Sequence, residues 1–246
     1  MPNTYFQFKK FRIDQARSGM KVTTDACLFG GWIAQILRES KEPKHMLDIG
    51  VGTGLLSVML GQVTNKMVVD AVELNESAYA QAKINFENSP WSARLNVHHS
   101  SIQQYHTDKK YDLIVCNPPF FNNSTKGKEA AKNIALHNEN LPIEDLVNAI
   151  KALLAENGRC YVLYPEREMN VFTAAAIKSG LNASEYLYLK NEKNHPVFRV
   201  LRSFSFQESE LKASEVIIRK EDGKYTDEFW DLLKDYYLEY NNPDLK

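Results

Sequence analysis

The sequence predicts an α/β fold: a seven-stranded, mostly parallel sheet with helices on both faces and an antiparallel strand pair at one end. Three observations point there. From His45 onward, short apolar runs alternate with helically spaced segments, the pattern of parallel strands covered on both sides. A glycine-rich turn separates the first of these runs from the helix that follows it. Late in the chain, two strand-like segments are joined by only a short polar loop, which suits antiparallel pairing.

The elements follow in order. Asp25 to Arg38 has helical spacing, with Leu28, Trp32, Ile36 and Leu37 on one face and Asp25 at the helix start. Strands are expected at His45–Ile49, Met67–Val72, Arg94–His98, Tyr111–Cys116 and Arg159–Tyr164. Between and after them, helices are expected at Leu55–Val63, Ser77–Glu87, Ile143–Ala155 and Glu166–Ser179. Glu185–Leu189 and Val197–Phe206 read as the antiparallel pair, joined by a loop containing His195-Pro196. The tail offers a short strand at Glu215–Arg219, an Asp222-Gly223 turn and a helix after Thr226. The aromatic spacing of that helix (Phe229, Trp230, Leu233, Tyr236, Tyr237) suits core packing. The polar segment Asn122–Asn133, with Gly127 and no apolar periodicity, is expected to be a mobile loop. No repeat or linker interrupts the 246 residues, so one domain is expected, with an N-terminal segment over 1–40, a core over 41–206 and a tail over 207–246.

Composition narrows the class. At 43% hydrophobic and 25% charged residues, the chain has an ordinary globular balance. It lacks a signal-peptide pattern and any apolar run near the length of a membrane span, so neither secretion nor membrane insertion is expected. Cys27, Cys116 and Cys160 are widely separated and odd in number, which points to reduced core thiols and a cytoplasmic location. His98 and His99, adjacent on a strand, point to opposite faces, and His106 and His137 have no partner at ligand spacing, so no metal is expected. A net charge of −1 means that any nucleic-acid contact must rest on local patches.

The first chemical motif is Asp48-Ile49-Gly50-Val51-Gly52-Thr53-Gly54, between a strand and a helix. Glycine lets the backbone turn tightly and approach a ligand, and the helix start points N–H donors at it. The dinucleotide fingerprint needs a sixth-position glycine, where this chain has Leu55. Glu73 closes the second strand, and a carboxylate there can accept both hydroxyls of a ribose. The set Asp48, Gly50, Gly52, Gly54 and Glu73 resembles the Rossmann-like S-adenosylmethionine-dependent methyltransferases. That likeness implies that the cofactor adenine lies at Ser101-Ile102, although Asp is usual where this chain has Ser101.

The second motif, Asn117-Pro118-Pro119-Phe120, follows the fourth strand. The lone pair of an aromatic amino group is delocalised into its ring, so the group is a poor nucleophile. Acceptors at its two hydrogens, the Asn117 side-chain oxygen and the Pro118 carbonyl, favour a tetrahedral nitrogen and free that lone pair. Consecutive prolines stiffen the turn, and Phe120 offers a face on which an unstacked base can lie. Asn117 to Phe120 are therefore the candidate catalytic residues.

With both motifs placed, the chain resembles the bacterial tRNA1(Val) adenine-N6 methyltransferases over nearly its whole length. Besides the motifs, the resemblance rests on Phe6–Phe11, Met20-Lys21-Val22, Thr24-Asp25, Gly31-Trp32, Asp70–Leu74, Asn85, Ser89-Pro90-Trp91, Val216–Arg219 and Tyr236-Tyr237-Leu238. It implies methylation of the adenine beside the anticodon of a valine tRNA; a monomer is expected. It also implies that the 1–40 segment caps substrate and cofactor, with Lys21, Thr24 and Asp25 closing over the methionine end. The chain departs from its relatives at Phe120, where Tyr is frequent, and at Ala135-Leu136-His137, where an Arg is frequent.

The charge pattern permits RNA. Lys9, Lys10, Arg12, Arg17 and Lys21 alternate with Phe6, Phe8 and Phe11, although a solvated face beside a hydrophobic anchor reads almost equally well. Lys126, Lys128, Lys132, Arg199 and Arg202 are candidates to extend this basic track. Two alternatives compete. Methylation of an rRNA guanine N2 uses the same motif, whereas release-factor and DNA enzymes carry extra domains for which there is no room. A non-catalytic, cofactor-binding RNA scaffold would be expected to have lost Gly52, Gly54, Glu73 or Asn117, and all four are present.

Overall fold

The computed structural model describes residues 3–118 and 141–238. An N-terminal hairpin, β1 (Tyr5–Gln7) and β2 (Arg12–Asp14), precedes helix α1 (Thr24–Glu39). Strand and helix then alternate through β3 (His45–Ile49), α2 (Leu55–Gly61), β4 (Val68–Glu73), α3 (Glu76–Glu87), β5 (Leu95–His99) and β6 (Tyr111–Cys116). After the undescribed segment come α4 (Ile143–Leu153), β7 (Leu154–Tyr164), α5 (Glu166–Lys178), β8 (Asn182–Lys190), β9 (Val197–Ser205), β10 (Ala213–Ile217) and α6 (Asp227–Leu233).

The main sheet runs β10-β8-β9-β7-β6-β3-β4-β5. All neighbours are parallel except β9, which is antiparallel to both β7 and β8. The α/β sheet and its antiparallel pair are as the sequence implied. The count rises to eight because the tail strand, lying slightly earlier than expected at Ala213–Ile217, adds in parallel to β8. Strand order reverses around β3, so the glycine-rich turn leaves the sheet at a switch point, where parallel sheets bind ligands.

The central strands are apolar on both sides because both are covered. One face, with Val69, Ala71, Val115, Leu163 and Leu201, packs under α1, α2, α3 and α6. The other, with Leu47, Ile114, Val162 and Phe204, packs under α4 and α5. A Cβ on Gly31 of α1 would stand 2.6 Å from the Leu232 carbonyl oxygen, so α6 approaches α1 where only glycine fits. All three cysteines are buried and free, and burial pushes the Cys27 thiol up to about 12.

The N-terminal aromatics are core. Phe8 and Phe11 are buried and stacked at 4.5 Å, Phe11 meets Trp91 edge-on, and Phe6 and Phe8 contact Tyr237. The Lys9 N–H donates to the Tyr236 carbonyl, which joins the two ends of the chain. Of the two readings open for Phe6, Phe8 and Phe11, the packing favours the hydrophobic anchor over base contact: the hairpin is too small to bury a face alone and borrows one from the tail. Phe229, Leu233 and Tyr236 are buried as the tail spacing suggested.

Candidate active site

The glycine turn is held by the neighbouring strand. The Gly50 and Val51 N–H groups both donate to the Val72 carbonyl, at 2.9 and 3.1 Å. Gly50, Gly52 and Gly54 all have positive φ, at 71°, 58° and 84°. A Cβ on Gly54 would also lie 2.7 Å from Phe86 Cε1, so the ring of α3 closes the turn from behind. Glu73 ties the two loops together: Oε2 accepts from the Gly52 N–H at 2.9 Å, and Oε1 accepts from the Asn75 N–H at 2.8 Å. Each carboxylate oxygen keeps acceptor capacity beyond that bond.

Asp48 is buried beneath the turn. Its Oδ2 accepts from Ser57 Oγ at 2.7 Å, joining β3 to α2. Burial raises its pKa to about 7; the Ser57 hydrogen bond opposes this, and the charge of Glu73 adds to it. Ser101 Oγ accepts from the Gln104 N–H at 3.3 Å, capping a short turn over Ile102–Gln104, and Ile102 is buried. Sequence reading assigned these two residues to the cofactor; in the structure they also build the turn that follows β5.

Asn117 comes one residue after β6. Val115 faces the α1 side of the sheet and Cys116 the opposite side, so strand alternation turns Asn117 toward α1. Among the described residues, Asn117 Oδ1 is buried and has no hydrogen-bond partner. A buried amide oxygen left unpaired costs on the order of 1–3 kcal/mol, so this acceptor is open to a donor that the described residues do not supply. Pro118 is buried beside it. Pro119 and Phe120, with Lys126, Lys128, Lys132 and 135–137, lie outside the described residues.

The N-terminal segment is held by three side-chain amides to which the sequence gives no role, and one of them, Asn85, also reaches the glycine turn. Asn85 Nδ2 donates to the carbonyls of Asp14 and Thr53, at 2.8 Å each, while its Oδ1 accepts from the Asp14 N–H. Gln15 Oε1 accepts from the Val22 N–H, and Gln81 Oε1 accepts from the Arg17 N–H. The available clue was periodicity: Asn85 is polar on the same helix face as Ala82 and Phe86. Lys21 and Thr24 follow this fastened stretch. Asp25 is buried in the first turn of α1, where its Oδ1 accepts from the Thr23 hydroxyl and the Ala26 N–H.

Among the described residues of the proposed basic track, Arg199 and Arg202 are engaged inside the fold. Arg199 Nε donates to Asp25 Oδ2 at 2.8 Å, and Arg202 is half-buried against Tyr186 and donates to Thr173 Oγ1. Reading these two as open RNA contacts is therefore corrected: both are side chains of β9 covered by helices. Lys9 Nζ donates to the Lys234 carbonyl, Arg12 pairs with Asp14 at 2.8 Å, and Lys10 is exposed. A groove of ≈ 600 Å³ runs along β5, lined by Tyr79, His98, His99, Tyr105, His106 and Lys109 among others. It lies three strands from β6, and Lys109 and the His99 ring are already bonded to Asp70 and to the Leu74 carbonyl. Among the described residues, no cluster of His, Cys, Asp or Glu could hold a metal ion, and no helix is long and apolar enough to cross a membrane.

The acceptors of Glu73 and Asn117 fit a sulfonium cofactor and the amine it would methylate. The glycine turn opens at a strand end, and the orphaned Asn117 oxygen suits an incoming amino group. Residues 32–164 match the methyltransferase small domain. The chain is 41% identical to a tRNA1(Val) (adenine(37)-N6)-methyltransferase of Cytophaga hutchinsonii, covering 97% of this chain and 99% of the relative. It is 38% identical to the protein of the same description from Trichodesmium erythraeum, covering 98% and 100%. Among solved structures, a predicted O-methyltransferase from Agrobacterium tumefaciens superposes with a TM-score of 0.65 at 16% identity, over 85% of this chain and 95% of that one.

Proposed function

The chain belongs to the tRNA1(Val) (adenine(37)-N6)-methyltransferase family, and from that membership we propose how its own residues carry the reaction. It is an S-adenosylmethionine-dependent enzyme that methylates the exocyclic amine of the adenine beside the anticodon. Our reading adds that it acts as a cytoplasmic monomer, with valine tRNA as its substrate and the 1–40 segment capping the site of a single domain.

When bound, S-adenosylmethionine supplies an electrophilic methyl group. The other steps fall to the chain. Glu73 accepts the ribose hydroxyls while keeping the Gly52 and Asn75 N–H groups. The turn at Gly50–Gly54 leaves backbone room for the ligand, and Ser101 and Ile102 border the adenine. Lys21, Thr24 and Asp25 flank the methionine end. Asn117 Oδ1 and the Pro118 carbonyl accept the two amino hydrogens, so the nitrogen lone pair leaves the ring and becomes nucleophilic. By their place in the motif, Pro119 and Phe120 would hold the unstacked base. No side-chain base is needed before transfer, because the amine gives up its proton only after gaining the methyl group.

The single observation that carries the catalytic assignment is the buried, unpartnered Asn117 Oδ1 at the end of β6. The test is transfer from isotopically labelled S-adenosylmethionine onto total tRNA, followed by nucleoside analysis. N6-methyladenosine confined to a valine tRNA supports the reading. Label found only in rRNA, as N2-methylguanosine, or only in protein overturns it.

A further inference from the structure

In one largely buried ion pair at the edge of the site, Asp25 flanks the methionine end and its partner Arg199 has no role in the chemistry above. Arg199 of β9 and Asp25 of α1 are 174 residues apart, join at 2.8 Å and have side chains only 14% and 11% exposed. We infer that Arg199 is a positioning residue: acting through Asp25, it locks the first turn of α1 onto β9 and so sets the acceptor wall beside Asn117. This rests on the methyltransferase reading.

Strand register places the pair. Cys116 is level with Val162, and Tyr164 with Val200, so continuing the register by two residues sets Val200 level with Pro118, two strands away, and Arg199 is the neighbour of Val200. Two strand spacings are about 10 Å, within reach of a nucleobase bound against Asn117. The faces agree as well. Leu201 lies on the α1 side of the sheet, Arg199 reaches Asp25 of α1 on that side, and alternation turns Asn117 the same way.

The chemistry favours positioning over RNA contact. Asp25 Oδ1 is occupied by the Thr23 hydroxyl and the Ala26 N–H, which fixes the carboxylate on the helix turn. The guanidinium donates from Nε to Asp25 and from Nη1 to the Phe198 carbonyl, so its planar fork is aligned from two sides. An apolar pair could bind helix to strand at least as well, because desolvating two charges offsets most of their attraction. What the fork adds is direction: it admits one orientation of the helix start. The segment before α1 is also fixed, through the Val22 N–H bond to Gln15, so a change at Asp25 is passed to Lys21–Thr24 instead of being absorbed.

The test is a double-mutant cycle on the full chain with Arg199→Gln, Asp25→Asn and the double variant, assayed on tRNA across a salt series. Each single variant should lower kcat about tenfold, and the double should fall within about twofold of the worse single, because one interaction is removed twice. The wild-type salt dependence of KM for tRNA should persist in all three. Independent, multiplying losses would overturn the inference. So would a salt slope lowered by about one unit in Arg199→Gln alone, which would mark a phosphate contact. If the neutral variants do not fold, Arg199→Lys keeps the charge and loses the fork. It should melt near wild type yet lose kcat, with cofactor affinity within about threefold. Full activity in Arg199→Lys would overturn the inference. A wild-type chain inactive on tRNA would refute the functional reading and this inference with it, whereas active wild type with multiplying losses refutes the inference alone.

Discussion

Asn85 clamps Asp14 from both sides: its Oδ1 accepts the Asp14 N–H at 2.9 Å, and its Nδ2 donates to the Asp14 carbonyl at 2.8 Å. The same Nδ2 donates to Thr53 within the glycine turn, so one amide couples the N-terminal segment to the cofactor loop. Asn85→Ala removes the side-chain partner of three backbone groups, one of them buried and two part-buried. At roughly 1 kcal/mol for each lost bond, destabilisation of about 3 kcal/mol is expected in urea unfolding. Cofactor affinity should fall with it, because Thr53 is no longer held. Unchanged stability would mean that the clamp contributes nothing.

Glu73 is held differently. It accepts from both loops at once, and charge-assisted bonds are about twice as strong as neutral ones. Glu73→Gln keeps one acceptor oxygen and turns an amide donor toward an N–H donor. Cofactor affinity is expected to drop about 10- to 100-fold, while unfolding free energy shifts by less than about 1 kcal/mol. Calorimetric titration with S-adenosylmethionine separates the two effects. An equal loss in both would make Glu73 a loop brace and not a ribose acceptor.

At Asn117 the expectation is reversed: the chemistry should suffer and binding should not. Removing the unpaired Oδ1 relieves a buried polar group, so Asn117→Ala should be as stable as wild type or slightly more so. Turnover should fall by about 10²–10³, the scale seen when one aligned polar partner of a transition state is removed. Cofactor affinity should stay within a few-fold. Single-turnover methylation under saturating tRNA reads the first effect, and calorimetry the second.

These residues differ in how far the sequence alone exposed them. The placement of Gly50, Gly52, Gly54, Glu73 and Asn117 was legible because it is local: each sits at a fixed offset from the end of a strand. The alternation of strands and helices was legible for the same reason, since period and punctuation are properties of short windows. Arg199 and Arg202 were misread because charge is counted in sequence but neutralised in space. Nothing near position 199 announces an aspartate at position 25. The hairpin aromatics stayed open between two readings for the same reason: their core partners, Trp91 and Tyr237, lie far along the chain. Asn85 left only a faint mark, a polar residue on an apolar helix face.

Asp48 offers a prediction in pH. Its carboxyl, buried against Ser57 with Glu73 nearby, titrates at about 7 in the folded chain, against an ordinary value of 3.8. Between those values the native state holds a proton that the unfolded chain releases. The unfolded state therefore binds fewer protons, and stability must fall as pH rises from about 4 to about 7. The contribution is fully present below the lower value and gone above the upper. Asp70 works in the opposite direction: burial would raise its carboxyl, but hydrogen bonds from Lys109 and Tyr111 outweigh that and lower it, so its contribution is lost only as pH falls into the acid range. The window between pH 5 and 7 thus isolates Asp48. Asp48→Asn keeps an oxygen for the Ser57 hydroxyl and cannot ionise, so it should gain on wild type by a few kcal/mol between pH 5 and 8. Urea midpoints of both proteins across that range check it, and parallel profiles would show that Asp48 does not titrate there.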